Sequence, residues 1–444
     1  MLFELWTTFL ALTRTTNVAA RVFGVRNYLP ALSAKRFSLV GGIDEELLVS
    51  QMDNCASFDD VYWANYWSAI ALEHIECFES QLEQAGIWSP IRNWLEDQST
   101  SISPAKIHVF LRRGAALITQ THLGKPIDLD ELCQSTIPEN RGPLIAADAL
   151  LKAVAYCFIA AWPGHSPKRT KAYHWSRRLF DLLLDAIAPV LNLKVERSIV
   201  RSSGEELVLY GLIPRTPESH QTLPAALITN GLEGTNVEIM ASFLRYQRAD
   251  DLAMFFMEMP GTYMYKKPMK AADSERIYAD VISHISSHKA IDSSQIGMVG
   301  ISFGATWAVR MAIVDSRLKA IVANGAPLGR SLTPWGAFGL PQIIVDAIAS
   351  SVGTRNLLSL AWRLSSIAPS LPQIQSISCP ILAINGGKDT LISTQDTIDL
   401  ANAVSNSQIK LYDGDDHCAM SHVGEWLDLC RRWVYDVTGK YEPI

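Results

Sequence analysis

Three residues in the second half of the chain have the types and order that acyl-transfer chemistry needs. Ser302 sits in Gly300-Ile301-Ser302-Phe303-Gly304, a G-x-S-x-G pattern. An apolar run, Ile296–Val299, precedes it, and an amphipathic stretch from Phe303 to about Val314 follows. That context makes a nucleophile elbow, a serine at the tip of a sharp strand-to-helix turn. Small neighbours are needed there because strand and helix backbones approach closely. The helix opening beside the serine favours negative charge at its N-terminus. A five-residue pattern also arises by chance, and the alternative is a plain turn.

A serine hydroxyl needs a base to take its proton, and the base needs a carboxylate to hold its tautomer. Elbow serines are followed in the chain by the acid and then the histidine, each on a loop after a strand. The apolar run Ile381–Asn385 ends in Gly386-Gly387-Lys388-Asp389, which makes Asp389 the candidate acid rather than a simple turn former. The last strand is followed by Asp413-Gly414-Asp415-Asp416-His417, and His417 is the candidate base; His422 lies closer to the final helix. Asp415 and Asp416 are candidates to tune His417 or to stand in as its acid. An oxyanion hole takes two backbone N–H groups. Phe303, next after the serine, supplies one. Leu232, in the glycine-bearing loop Asn230-Gly231-Leu232-Glu233-Gly234, is the choice for the other. Glu233 is a candidate substrate contact, with a plain turn glutamate as the alternative.

The elements that must position these residues fall into three blocks. Residues 1–45 read as a leader with apolar patches, 46–193 as a helical N-terminal domain, and 194–444 as the catalytic domain. In the helical block Trp63, Tyr66, Trp67, Ile70, Ala71, His74 and Phe78 recur at steps of three and four. Helices are expected over Ala146–Ala161 and Tyr173–Val190, broken by Pro163-Gly164. His74, His165 and His174 read as structural, since none has a second ligand at metal spacing. From Lys194 the period changes to two: Val195–Arg201 and Glu206–Ile213 make a hairpin. Pro214–Pro224 is a polar connection. Strands at Ala225–Thr229, Leu252–Met259, Ile296–Val299, Leu318–Asn324, Ile381–Asn385 and Gln408–Tyr412 alternate with helices such as Val237–Gln247 and Asp273–His288. That alternation implies a mostly parallel twisted sheet flanked by helices, with the hairpin as its antiparallel edge. Residues 328–371 form a helical insertion placed to act as a lid, with Trp335 and Phe338 as candidate substrate contacts. A surface excursion with no role in access is the alternative.

Composition narrows the function. The 444 residues are 48% hydrophobic and 19% charged, with a formal net charge of −6. There is no Lys/Arg cluster, which argues against a nucleic-acid partner. Seven scattered cysteines contain no C-x-x-C pair, so neither a metal site nor a disulfide framework is expected, and a cytoplasmic, reducing home is. The apolar start, Met1 to Leu12, carries Glu4 and is ended by Arg14. It is short for a membrane span and lacks the basic start of a secretory signal. Packing on the body of the protein, or on a second subunit as in a homodimer, is its expected use.

Gly231-Leu232-Glu233-Gly234, Glu258-Met259-Pro260-Gly261-Thr262, the elbow, Gly387-Lys388-Asp389 and Asp416-His417-Cys418 together resemble the FrsA-like esterases. That group includes the pseudooxynicotine hydrolases and fungal pigment hydrolases that shorten polyketides; related fungal proteins help form lactam rings. The resemblance spans most of the chain and implies an α/β-hydrolase fold, a preceding helical domain, and C–C, ester or amide chemistry on small carbonyl compounds. Asn230, where relatives often carry glycine or a hydroxyl residue, and the bulky Phe303 depart from the pattern and bear on the substrate. The reading is a serine hydrolase without cofactor or metal, acting on a hydrophobic small molecule of secondary metabolism, with a polyketide-like compound as the favoured class. The alternative keeps the fold but excludes water, so that the same residues drive ring closure or condensation.

Overall fold

The computed structural model describes residues 2–114, 128–164, 166–215, 222–246 and 252–438. His165, Gln247 and most of the Pro214–Pro224 connection lie outside the described residues.

Eight strands form one sheet: β1 Leu193–Ser202, β2 Glu205–Pro214, β3 Leu223–Thr229, β4 Ala253–Met257, β5 Ile291–Ile301, β6 Leu318–Asn324, β7 Ile381–Gly386 and β8 Ser407–Tyr412. Their spatial order is β1-β2-β4-β3-β5-β6-β7-β8. The β1–β2 hairpin pairs antiparallel from Leu193↔Pro214 to Ser202↔Glu205, and β2 meets β4 antiparallel. All later pairings are parallel. β3, β4 and β7 are buried along their whole length, which is why they read as continuous apolar runs rather than alternations. This is the mostly parallel sheet with an antiparallel edge that the strand and helix alternation implied, and it fits the α/β-hydrolase fold that the resemblance implied.

Helices cover both faces. Ala271–Ser286 and Phe303–Val314 pack one face through Ile277, Val281, Trp307 and Val309, against Leu227, Phe255 and Met298. Asn236–Tyr246 and Val423–Thr438 cover the other face, and the helical block joins them in one continuous core. In that block the helix Asp60–Gln84 begins at Asp59, whose carboxylate accepts from the Val61 and Tyr62 N–H groups. It buries Trp63, Trp67, Ala71, Ile75, Phe78 and Leu82, a stripe at helical spacing. The stripe lies on Pro138–Ala161, and the Trp63 indole donates to the Ile159 carbonyl at 2.8 Å. Pro138–Ala161 is long and apolar enough to cross a membrane, but 89% of its apolar window is buried inside the protein, so it is the central core helix. His74 stacks on Tyr156 in this core. Burial, helped by the Lys152 charge, lowers its pKa to about 4, so it serves as a neutral packing group.

The first 45 residues touch both halves: helix Ser33–Gly41 packs on Pro138–Ala161 and also on Asn236–Tyr246. Helix Leu2–Thr13 lies on helix Gln342–Ser351 of the 328–371 insertion. Thr8 Oγ1 accepts from the Gly339 N–H at 2.8 Å, and Arg14 pairs with Asp346 at 3.4 Å. The insertion at 328–371 is the turn Pro334–Ala337 followed by helices Gln342–Ser351 and Leu357–Ile367.

Because one core spans the helical block and a sheet face, a chain starting at Lys194 would expose Leu212, Met254 and Phe256. Such a truncation is expected to aggregate, or to bind a hydrophobic dye strongly, on size-exclusion chromatography and fluorescence titration. A monomeric product with wild-type melting behaviour would show that the helical block is separable.

Candidate active site

Ser302 stands between β5 and the helix Phe303–Val314 with φ 55° and ψ −129°. A non-glycine residue in that region costs on the order of 1–3 kcal/mol and persists only where its surroundings enforce it. Three contacts enforce it here. The Ser302 N–H donates to the Asn324 carbonyl at the end of β6 at 2.7 Å, and the Ala305 N–H donates to the Ser302 carbonyl at 2.8 Å. Gly304 admits the 229–230 backbone so closely that a Cβ there would sit 2.3 Å from the Asn230 carbonyl oxygen. The Ser302 side chain therefore projects from the carboxyl edge of the sheet.

The structure brings Ser302, Asp389 and His417 together. His417 Nε2 is 2.8 Å from Ser302 Oγ, and His417 Nδ1 is 2.8 Å from Asp389 Oδ2. A carboxylate can only accept, so Nδ1 carries the proton and Nε2 is left to accept the serine proton. Asp389 is enclosed. Its Oδ1 accepts from the Leu391 and Ile392 N–H groups, and its Oδ2 also accepts from Asn385 Nδ2 at 2.8 Å. Burial alone would raise its pKa, but the His417 charge and these donors outweigh it and hold the carboxyl below its usual range. For His417, burial pulls downward, and the Asp389 charge outweighs it, so the imidazole pKa is raised above its ordinary value.

Asp415 and Asp416 do not meet the imidazole ring. Asp416 accepts from the His417 N–H and from Thr390, and Asp415 accepts from Ser421 N–H and faces His422 Nδ1 at 2.8 Å. Both shape the loop that delivers His417, where Cys418 and Ala419 take positive φ. Asparagines at the ends of two strands brace that loop. Asn385 Oδ1 accepts from Cys418 N–H at 3.0 Å while its amide holds Asp389, and Asn324 Nδ2 donates to the Cys418 carbonyl at 3.2 Å. Sequence reading passed over both; their signal was an asparagine closing a buried strand at the sheet edge where sites collect.

Gly231 packs directly on the serine: a Cβ there would lie 2.7 Å from Ser302 Cβ. Leu232 follows it in the cavity wall, and Phe303 opens the helix on the other side. Among the described residues neither the Leu232 nor the Phe303 N–H has a protein acceptor. Both are available as donors to an oxyanion.

The cavity at Ser302 is lined by the 230–234 loop, by Leu340, Ile344, Ile348 and Leu364 of the 328–371 insertion, and by Leu32 and Arg36 from the first 45 residues. Glu233 lines it too. Trp335 and Phe338 do not. They are 84% and 45% exposed, so the expectation of substrate contact from these two side chains is corrected. The short turn Pro334–Ala337 presents Gly336 and Ala337 to the cavity and turns the larger flanking groups outward. Asp396, on helix Thr394–Ala403, anchors the start of the 328–371 insertion, accepting from the Leu328, Arg330 and Ser331 N–H groups at 2.9 Å each. Among the described residues no cluster of three or more His, Cys, Asp or Glu could hold a metal ion.

A family model described as "Esterase FrsA-like" matches residues 129–406. The esterase FrsA of Photobacterium profundum is 25% identical over 297 residues, covering 64% of this chain and 69% of the relative. The chain spans between 34% and 69% of the length of the first FrsA esterases it matches. Among solved structures, 2,6-dihydroxy-pseudo-oxynicotine hydrolase superposes with a TM-score of 0.57 at 19% identity, over 82% of this chain and 97% of that one. AbyA5 gives 0.56 at 21% identity, over 65% of this chain and 84% of that one. These structural likenesses speak to the fold.

The charge pair has consequences for pH. A base must be neutral to accept a proton, so turnover should fall as pH drops through a limb lying above the ordinary histidine value. Asp389→Asn should lower kcat on the order of 10⁴-fold and move the residual limb to lower pH. Folding stability should follow opposite signs. The depressed Asp389 contributes above the usual carboxylate range and is lost as pH falls through its folded value. The raised His417 contributes below its unfolded value and is lost as pH rises through its folded one. A pH–rate profile of both proteins checks the first, and chemical denaturation across pH checks the second; a limb unmoved by Asp389→Asn would contradict the pairing.

Proposed function

The chain belongs to the FrsA-like esterase family, enzymes of the α/β-hydrolase fold, and from that premise we propose that it is a serine hydrolase acting on an apolar small carbonyl compound. The observation that carries the reading is the single imidazole lying 2.8 Å from both Ser302 Oγ and Asp389 Oδ2. In this reading Ser302 Oγ attacks the carbonyl carbon as His417 Nε2 takes its proton. The carbonyl oxygen becomes an oxyanion held by the Phe303 and Leu232 N–H groups. Collapse breaks the bond to the leaving group, which receives the proton from His417. Water then enters, gives a proton to His417 and its oxygen to the acyl carbon; the acyl–Oγ bond breaks, and His417 returns the proton to Ser302 Oγ. Asp389 keeps its charge throughout and stabilises the imidazolium.

The cavity wall supports an apolar substrate. Leu340, Ile344, Ile348 and Leu364 offer no charge, and burying a substrate chain against them gains about 25 cal/mol per Å². The same wall shields the oxyanion from bulk water, which strengthens the N–H contacts. A polyketide-like compound of secondary metabolism is the substrate class we favour.

Ser302→Ala should lower turnover of p-nitrophenyl esters by about 10⁴-fold or more, because the three groups act as a unit. The same substitution should abolish labelling by a fluorophosphonate, read by mass spectrometry of the intact protein. Ile344→Asp should raise KM for long-chain esters at least tenfold by placing a charge in the apolar wall, whereas Trp335→Ala should leave it unchanged. Activity within tenfold of wild type in Ser302→Ala would remove the serine from the mechanism.

A further inference from the structure

The cavity is apolar along the lid but not along the opposite wall. Arg36, in helix Ser33–Gly41, places Nε 2.6 Å and Nη2 2.9 Å from the two carboxylate oxygens of Glu238, and Nη1 3.0 Å from Glu233 Oε2. The three side chains are at most 14% exposed. One guanidinium against two carboxylates leaves one negative charge in the wall. Glu238 has both oxygens held by Arg36. Glu233 does not: its Oε2 takes Arg36 and the Trp162 indole N–H at 3.3 Å, while its Oε1 takes no bond among the described residues. The Glu233 backbone is pinned as well, its carbonyl accepting from the Tyr263 hydroxyl at 2.5 Å.

A second observation lies beside this one. Asn230 is 2% exposed and lines the same cavity, yet neither its Oδ1 nor its Nδ2 has a partner among the described residues. Burying an amide without hydrogen bonds is costly, and such groups are rare in native proteins unless something else satisfies them. Asn230 and Glu233 bracket Gly231 and Leu232, so both unsatisfied groups flank the oxyanion loop.

We infer that Glu233 forms a polar subsite for a hydrogen-bond donor on the substrate, a hydroxyl or a protonated amine set apart from the scissile carbonyl, with the enclosed Asn230 amide behind the same loop. Arg36 is a positioning residue: it holds Glu233 in place, and all three of its nitrogens are already donating. An anionic substituent would meet the excess negative charge and be rejected. The inference rests on the serine-hydrolase reading and names the substrate class within it.

The test uses the full chain and p-nitrophenyl esters of linear acids with roughly four to eight carbons, ending in methyl, hydroxyl, ammonium or carboxylate. At the best length, the hydroxyl or ammonium ester should exceed its methyl partner by about ten- to a hundredfold in kcat/KM, with the carboxylate ester poorest. The readout in each variant is the donor-to-methyl ratio, which cancels any loss common to both esters. Glu233→Leu should bring the ratio close to one. Glu233→Gln keeps an acceptor but not the charge. It should therefore spare a hydroxyl preference and abolish an ammonium preference, which tells the two donors apart. Arg36→Met should lower the ratio through KM, and Arg36→Lys should restore part of it. A wild-type ratio within about threefold of one at every length would overturn the subsite. Failure to cleave any ester, with no fluorophosphonate label on Ser302, would instead overturn the hydrolase reading and take the subsite with it.

Discussion

The close approach of three backbones at Ser302 is the constraint on which the site depends. The strained serine is held by the end of β6 through the Asn324 carbonyl, by its own helix through Ala305, and by the 229–231 loop pressed against it. Each contact needs the others. If the loop drew back, the Leu232 N–H would leave the serine. If β6 shifted, the backbone would relax towards ordinary φ and carry Oγ away from His417. A parallel sheet packed on both faces suits this task, because buried strands can be displaced only by moving the helices that cover them.

Around that point the charges are arranged by depth. Asp389, with its side chain fully enclosed, accepts from two backbone amides, one asparagine and the imidazole. A buried carboxylate so supplied stays ionised and orients its neighbour without moving. Asn385 is the hinge of this arrangement, since one side chain meets both the acid and the backbone beyond the base. The pair is thereby fixed before any substrate arrives.

How much could be read from the sequence differs from residue to residue. The sheet, its antiparallel edge and the flanking helices were legible because fully buried strands leave apolar runs and the intervening helices leave a 3.6 period. Ser302, Asp389 and His417 could be named because each follows such a run in a short loop rich in glycine or aspartate. The facing of the 328–371 insertion could not. Trp335 and Phe338 are the largest apolar groups in a short turn, and composition does not reveal which side of a turn meets a cavity; Leu340 and Ile344 do that instead. Arg36 left no signal at all. Its partners Glu233 and Glu238 stand about two hundred residues away, and an arginine in an apolar leader looks like a surface charge until the fold closes over it.

The cavity walls come from both ends of the chain, Leu32 and Arg36 on one side and His417 to Met420 on the other. During synthesis the first of these leaves the ribosome long before the second, and neither makes a cavity alone. The nucleophile elbow, although complete once β5, β6 and their helix have formed, has no base until the last loop docks. A chain that lacks the 413–422 loop therefore carries a serine with no imidazole within reach of its hydroxyl.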